Sequence, residues 1–237
     1  MKKLMIASHE RSGTHFLINS IVNNSYGIFG QPDIYNPSLD VCHSGPYDDP
    51  EQYKQNVKDF LLGYSGRFES KVFKTHHKAE FFEDYIDELK DEFCILYIKR
   101  NPLDVLTSLY FYYRTSEKRR FPHPNWTPDL EDFLYNLEPT DEWYSLTKNA
   151  SNAKRLKEHI EGWEDLGVNM VNYEDLNKKF STTMDEVYRL VDGLHPRGYY
   201  SRPPLSGVLP RKGKVNDHVN LLSRDQIKDL EEFFGVR

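Results

Sequence analysis

Four short segments of this chain carry the residue types that handle anions and protons: SHERSGTH (8–15), FKTHH (73–77), IKRNPLDVLTS (98–108) and RKGK (211–214). In the first, Arg11 offers a charged fork suited to phosphate or sulfate. Gly13 and Thr14 then open a run whose apolar residues recur at helical spacing, Leu17 with Ile21 and Ile18 with Val22. A helix start behind a glycine-containing loop directs unpaired N–H groups and positive dipole at one point, so it can hold an anion. In the third segment Arg100 closes an apolar run, Asn101 is a natural N-cap, Pro102 suits the first helical position and Asp104 falls at N3. Ser108 shares a helix face with Asp104. A strand-end arginine beside a helix start makes a second anion site, although the same residues also describe a capped helix with a surface arginine. In the fourth, Gly213 among Arg211, Lys212 and Lys214 lets N–H groups and side chains close on a phosphate, or leaves a solvated charged loop.

The second segment puts Lys74, Thr75, His76 and His77 at the end of a short strand. A histidine there is suited to act as a general base, its unperturbed pKa being about 6.5. A metal site with His9, His15 or His43 is a lesser alternative, since no HExxH or paired CxxC accompanies it. A satisfied structural histidine is the plain alternative.

The spacing also says what the first loop is not. A Walker A loop needs G-x-x-x-x-G-K-[ST]. Ser8 stands at its first glycine, Gly13 keeps the second, Thr14 replaces the lysine and His15 the magnesium-binding hydroxyl.

These segments need strands that end at one edge. Strands are predicted at Lys3–Ser8, Lys71–Lys74, Cys94–Lys99 and Val168–Asn172, with helices at 13–24, 80–91, 102–117, 128–137, 142–165, 174–192 and 223–234. The segments 30–66, 118–127 and 193–216 read as loops, rich in Pro, Gly, Asp and Tyr. Strands alternating with helices predict an α/β domain with a parallel sheet covered on both faces, whose ligands bind at the carboxyl ends of the strands. At 237 residues one domain, 1–237, is expected. Net charge is −6 and mean hydropathy −0.73, so any anion site is built locally, with no bulk attraction to nucleic acid or an anionic membrane. No run approaches the roughly 20 apolar residues that span a bilayer, and the apolar start after Lys3 is too short for a secretory signal. Cys42 and Cys94 are too few for a disulfide framework, and Cys94 reads as a reduced core thiol. A cytoplasmic location is expected.

In this order, the segments resemble the sulfotransferases that use 3′-phosphoadenosine 5′-phosphosulfate (PAPS), especially the cytosolic type. HERSGTHFL resembles the family's 5′-phosphosulfate loop, which implies cofactor contacts from Arg11, Ser12, Gly13, Thr14, His15 and Phe16. YIKRNPLDVLTS resembles its 3′-phosphate motif, implying Arg100 and Ser108. FKTHH resembles the strand carrying the catalytic histidine, here His76, with Lys74 and Arg11 as charge-stabilising partners. VNYEDL resembles the segment whose tyrosine lies beside adenine, here Tyr173, and RKGKVNDH the loop of Arg211, Lys212 and Gly213 that closes over the nucleotide. The resemblance implies a three-layer αβα, P-loop-NTPase-like sulfotransferase fold with a central parallel sheet. It implies PAPS as co-substrate and 3′-phosphoadenosine 5′-phosphate (PAP) as product, with no metal.

The chain departs from the pattern in places. Arg11 stands where the cytosolic enzymes usually have lysine, Phe16 replaces a tryptophan, and Asn216 and His218 stand at a usual glycine and tryptophan. The family's dimer motif is unmatched, its positions held by Val219, Ser223, Arg224 and Lys228, which leaves oligomeric state open. The expected acceptor is a small molecule or carbohydrate. Tyr110, Phe111, Tyr112 and Tyr113 could line an apolar pocket, and Lys118, Arg119 and Arg120 could meet an anionic sugar, though core packing and solvation describe both clusters as well. A magnesium-dependent P-loop kinase and a catalytically idle nucleotide-binding module are the alternatives.

Overall fold

Near-continuous apolar runs form the strands at the centre, as expected where both faces of a parallel sheet are covered. The computed structural model describes residues 2–26, 38–40, 49–63, 72–116, 127–136, 151–203 and 214–236. Arg211, Lys212 and Gly213 lie outside these residues, as do Cys42, His43 and Lys118, Arg119 and Arg120. In chain order the elements are β1 (Lys3–Ala7), α1 (Thr14–Asn24), β2 (Ser25–Tyr26), β3 (Ser38–Asp40), α2 (Pro50–Leu62), β4 (Val72–Thr75), α3 (Ile86–Glu92) and β5 (Phe93–Lys99). There follow α4 (Pro102–Ser116), α5 (Asn152–Asp165), β6 (Asn169–Asn172), α6 (Tyr173–Lys178), α7 (Phe180–Leu190), β7 (His195–Pro196) and α8 (Arg224–Phe234).

The main sheet is parallel throughout, in the order β3-β4-β1-β5-β6, and β2 pairs with β7 in a small antiparallel ribbon. Side chains alternate across the sheet, as the two-residue period of a strand requires. Met5, Ala7, Phe73, Ile95 and Tyr97 enter one core with α2, α4 and α5. Leu4, Ile6, Val72, Leu96 and Ile98 enter the other, against α1, α6 and α7. The predicted pairs Leu17/Ile21 and Ile18/Val22 are all buried in that second core. This is the expected three-layer αβα arrangement. Among the described residues no helix is long and apolar enough to cross a membrane.

The four predicted strands are found, each end within one residue of expectation, and β1, β4 and β5 bring the first three chemical segments to one edge. The predicted loop 30–66 is corrected: it contains the edge strand β3 and the 13-residue helix α2. Helix α2 starts where the Asp49 carboxylate accepts the Gln52 N–H, with Pro50 in the first turn. Tyr53, Val57 and Leu61, four apart, form its buried face. The predicted helix 80–91 begins as two 3₁₀ turns, Ala79–Phe81 and Glu83–Tyr85, and 174–192 is two helices that meet at Lys179. The predicted helix 128–137 is a π-helical turn over Asp132–Asn136. Cys94 is a free thiol at the rim of the second core, half-buried and donating to the Leu190 carbonyl at 3.3 Å, and burial raises its pKa.

Candidate active site

The loop between β1 and α1 is shaped by two left-handed residues, Arg11 at φ 67° and Gly13 at φ 103°. For Arg11 this conformation costs on the order of 1–3 kcal/mol, a strain typical of residues aimed at a ligand. At Gly13 a side chain is excluded twice over. The φ is unfavourable, and a Cβ would sit 2.4 Å from Cδ2 of Tyr173. The chain then enters α1, where Leu17 N–H bonds the Gly13 carbonyl and the N–H groups of the preceding turn face the loop by the geometry of any helix. Ser12 and Thr14 are buried, with the Thr14 and Ser8 hydroxyls 2.6 Å apart; His15 and Phe16 are half-buried.

Arg100 connects the segments. Its Nη1 donates to the Arg11 carbonyl at 3.1 Å and its Nη2 to the Lys214 carbonyl at 3.0 Å, and its guanidinium lies 4.6 Å over the Tyr173 ring. Its Nε is buried without a hydrogen-bond partner among the described residues. Ser108 accepts from Arg11 Nε at 3.3 Å, and the Arg11 guanidinium stands 5.0 Å over Tyr112. The structure thus gathers Arg11, Gly13, Arg100, Ser108 and Tyr173. Phe16 meets Tyr173 edge-on at 6.0 Å, and Tyr173 itself is buried between Gly13 and Arg100.

The two adjacent histidines differ. His77 is buried, with Nδ1 2.8 Å from the Thr75 hydroxyl, Nε2 2.7 Å from the Tyr53 hydroxyl and its ring stacked on Phe81. His76 is half-buried, and its Nδ1 lies 2.8 Å from the Ser8 carbonyl and 3.2 Å from the Ser8 hydroxyl. A carbonyl only accepts, so Nδ1 carries the proton and Nε2 keeps the lone pair. Lys74, two residues earlier, is buried on the α1 side of β4.

Sequence reasoning missed the support behind this edge. From α5, His159 Nε2 donates to the His76 carbonyl at 3.0 Å, and Trp163 Nε1 donates to the His77 carbonyl at 3.0 Å. His159 Nδ1 in turn accepts from the Tyr97 hydroxyl at 3.0 Å. Burial pushes the pKa of His159 well down; His9, 5.2 Å from it edge to face, is lowered to about 4, again by burial first and then by the Arg155 and Lys78 charges. Both rings are therefore neutral at pH 7. Also missed was Asp104. Its carboxylate accepts the N–H groups of Asn216 at 2.7 Å and His218 at 3.0 Å, and His218 Nδ1 at 2.8 Å. Asn216, at φ 63°, takes the left-handed turn for which glycine would be the usual residue.

The loop between β1 and α1 thus lies at the carboxyl edge of a parallel sheet and carries no Walker lysine. The sequence matches the sulfotransferase domain family over residues 1–194, and the chain belongs to that family. No curated protein sequence matches it. Among solved structures, mouse sulfotransferase SULT7A1 complexed with PAP is similar with a TM-score of 0.60 and 18% identity, covering 98% of this chain and 83% of that one. The sulfotransferase of Alicyclobacillus acidocaldarius gives 0.54 and 16%, covering 99% and 92%. Retinol dehydratase in a complex with retinol and PAP gives 0.53 and 17%, covering 99% and 81%. At these identities the likeness is one of fold.

Proposed function

We propose that this chain, acting as one domain, transfers a sulfuryl group from PAPS to a hydroxyl or amine acceptor, with His76 as the base. The observation that carries the reading is the Nδ1–H bond from His76 to the Ser8 carbonyl, which fixes the tautomer whose basic nitrogen is Nε2, beside the Arg11 loop. The nucleotide's fit is supported by the orphaned Nε of Arg100. Arg100 and Ser108 would hold the 3′-phosphate, Arg11 and the first-turn N–H groups the 5′-phosphosulfate, and Phe16 and Tyr173 would border the adenine. Arg211, Lys212 and Gly213 belong to the same proposal by sequence alone.

PAPS supplies the sulfuryl group and, as PAP, the leaving phosphate. As the acceptor oxygen bonds sulfur and the sulfur–phosphate oxygen bond breaks, the acceptor proton passes to His76 Nε2. Arg11 and Lys74 offset the charge that grows on the departing oxygen. The test is titration with PAP, followed by transfer of labelled sulfate from PAPS to a panel of phenols, alcohols and sugars. His76→Ala should lower turnover by about 10²–10⁴-fold and leave PAP affinity unchanged. Full turnover in that variant would remove His76 from the role, and magnesium-dependent ATP turnover without PAP binding would favour a kinase.

A further inference from the structure

A narrow cleft is lined by His76 and by Arg155, from the first turn of α5. Arg155 is only 9% exposed, yet among the described residues it has neither a hydrogen-bond acceptor nor a carboxylate within ion-pair distance. None of its nitrogens is a fully buried atom without a partner, so the guanidinium keeps some contact with solvent, but a cation this largely covered is ordinarily paired in folded proteins. The cleft's other buried cation follows that rule: Lys78 is 2.5 Å from the Glu158 carboxylate. Glu10 also borders the cleft, and among the described residues it forms no ion pair with Arg155. His9, His159, Leu109 and Tyr113 complete the cleft's lining.

We infer that Arg155 is the acceptor subsite for an anionic group. The preferred acceptor carries a carboxylate, sulfate or phosphate that pairs with Arg155 while its hydroxyl faces His76. This deepens the sulfotransferase reading and rests on it. Charge on the acceptor, more than its bulk, would then set selectivity.

The test uses the full chain saturated with PAP and three phenols of one skeleton: 4-hydroxyphenylacetate, its amide, and tyramine. Calorimetry should find the carboxylate bound about 10- to 100-fold more tightly than the amide, with tyramine weakest. Arg155→Met should erase that preference while leaving PAP affinity unchanged, and Glu10→Gln should keep or widen it. Equal binding of carboxylate and amide, a preference that survives Arg155→Met, or no phenol binding to a PAP-saturated chain would each overturn the subsite. The wild-type comparison decides the matter even if Arg155→Met fails to fold. Failure to bind PAP at all would instead remove the sulfotransferase reading beneath it.

Discussion

Gly13→Ala tests whether the first loop is held by backbone shape and by Tyr173 together. The substitution places an alanine at φ 103°, which costs about 1–2 kcal/mol for an L residue. It also drives a Cβ to 2.4 Å from Cδ2 and 2.8 Å from Cε2 of Tyr173. That ring cannot swing away cheaply, because it is buried and covered by the Arg100 guanidinium. Overpacking of this kind adds about 1–3 kcal/mol, so the expected loss is about 2–5 kcal/mol. Urea unfolding followed by the fluorescence of buried Trp163 would measure it. Tyr173→Leu in the same chain should recover the packing part and leave the backbone part, a coupling of about 1–3 kcal/mol in the double-mutant cycle. A Gly13→Ala chain within about 0.5 kcal/mol of wild type, or a cycle without coupling, would refute the argument that ring and loop fix each other.

Further outcomes follow from the supporting shell. Because His9 is depressed to about 4 when folded, the unfolded chain binds more protons between pH 6.5 and about 4. Stability is therefore full above that window and is lost as pH falls through it, by about 2 kcal/mol at pH 5 from His9 alone; urea midpoints at pH 7.5 and 5 would show the drop, and no drop would contradict a buried neutral ring. Asp104→Ala deprives three donors of the 216–218 turn of their acceptor. It should weaken PAP binding about tenfold or more, measured by calorimetry, and raise hydrogen exchange at Asn216 and His218. His159→Phe leaves the His76 carbonyl without its donor and should lower kcat with little change in PAP affinity; steady-state kinetics against PAP titration separates the two.

Much of the frame was legible because the central strands are nearly pure apolar runs and α4 announces itself with Asn101 and Pro102, whose cap the structure shows in the Leu103 and Asp104 N–H bonds to Asn101 Oδ1. Helix α2 was also written in the sequence, as Asp49–Pro50 followed by apolar residues four apart, but the Pro, Gly and Tyr around it masked the period. The three-residue strand β3, Ser-Leu-Asp, has no apolar run to read; edge pairing with β4 defines it. His76 and His77 could not be told apart from spacing, since contacts such as those with Tyr53, 24 residues away, and the Ser8 carbonyl distinguish them. Asp104 looked like an ordinary first-turn acid, and its partners lie more than a hundred residues downstream. His159 and Trp163 carry a faint signal, two hydrogen-bonding rings four apart on an otherwise charged helix.

Residues 155, 159 and 163 form a single stripe on α5, each one turn from the next and together spanning about 12 Å. The last two hold the backbone of the histidine pair, and the first faces the cleft beside it. Under the proposed roles of Arg155 and His76, the helix would act as a ruler between the acceptor and the proton-accepting ring. A shift of α5 that made room for a different acceptor would then drag the base with it. Retuning selectivity in this chain would therefore tax rate unless the change is confined to side chains, and exchanges at position 155 itself are the cheapest route to a new acceptor.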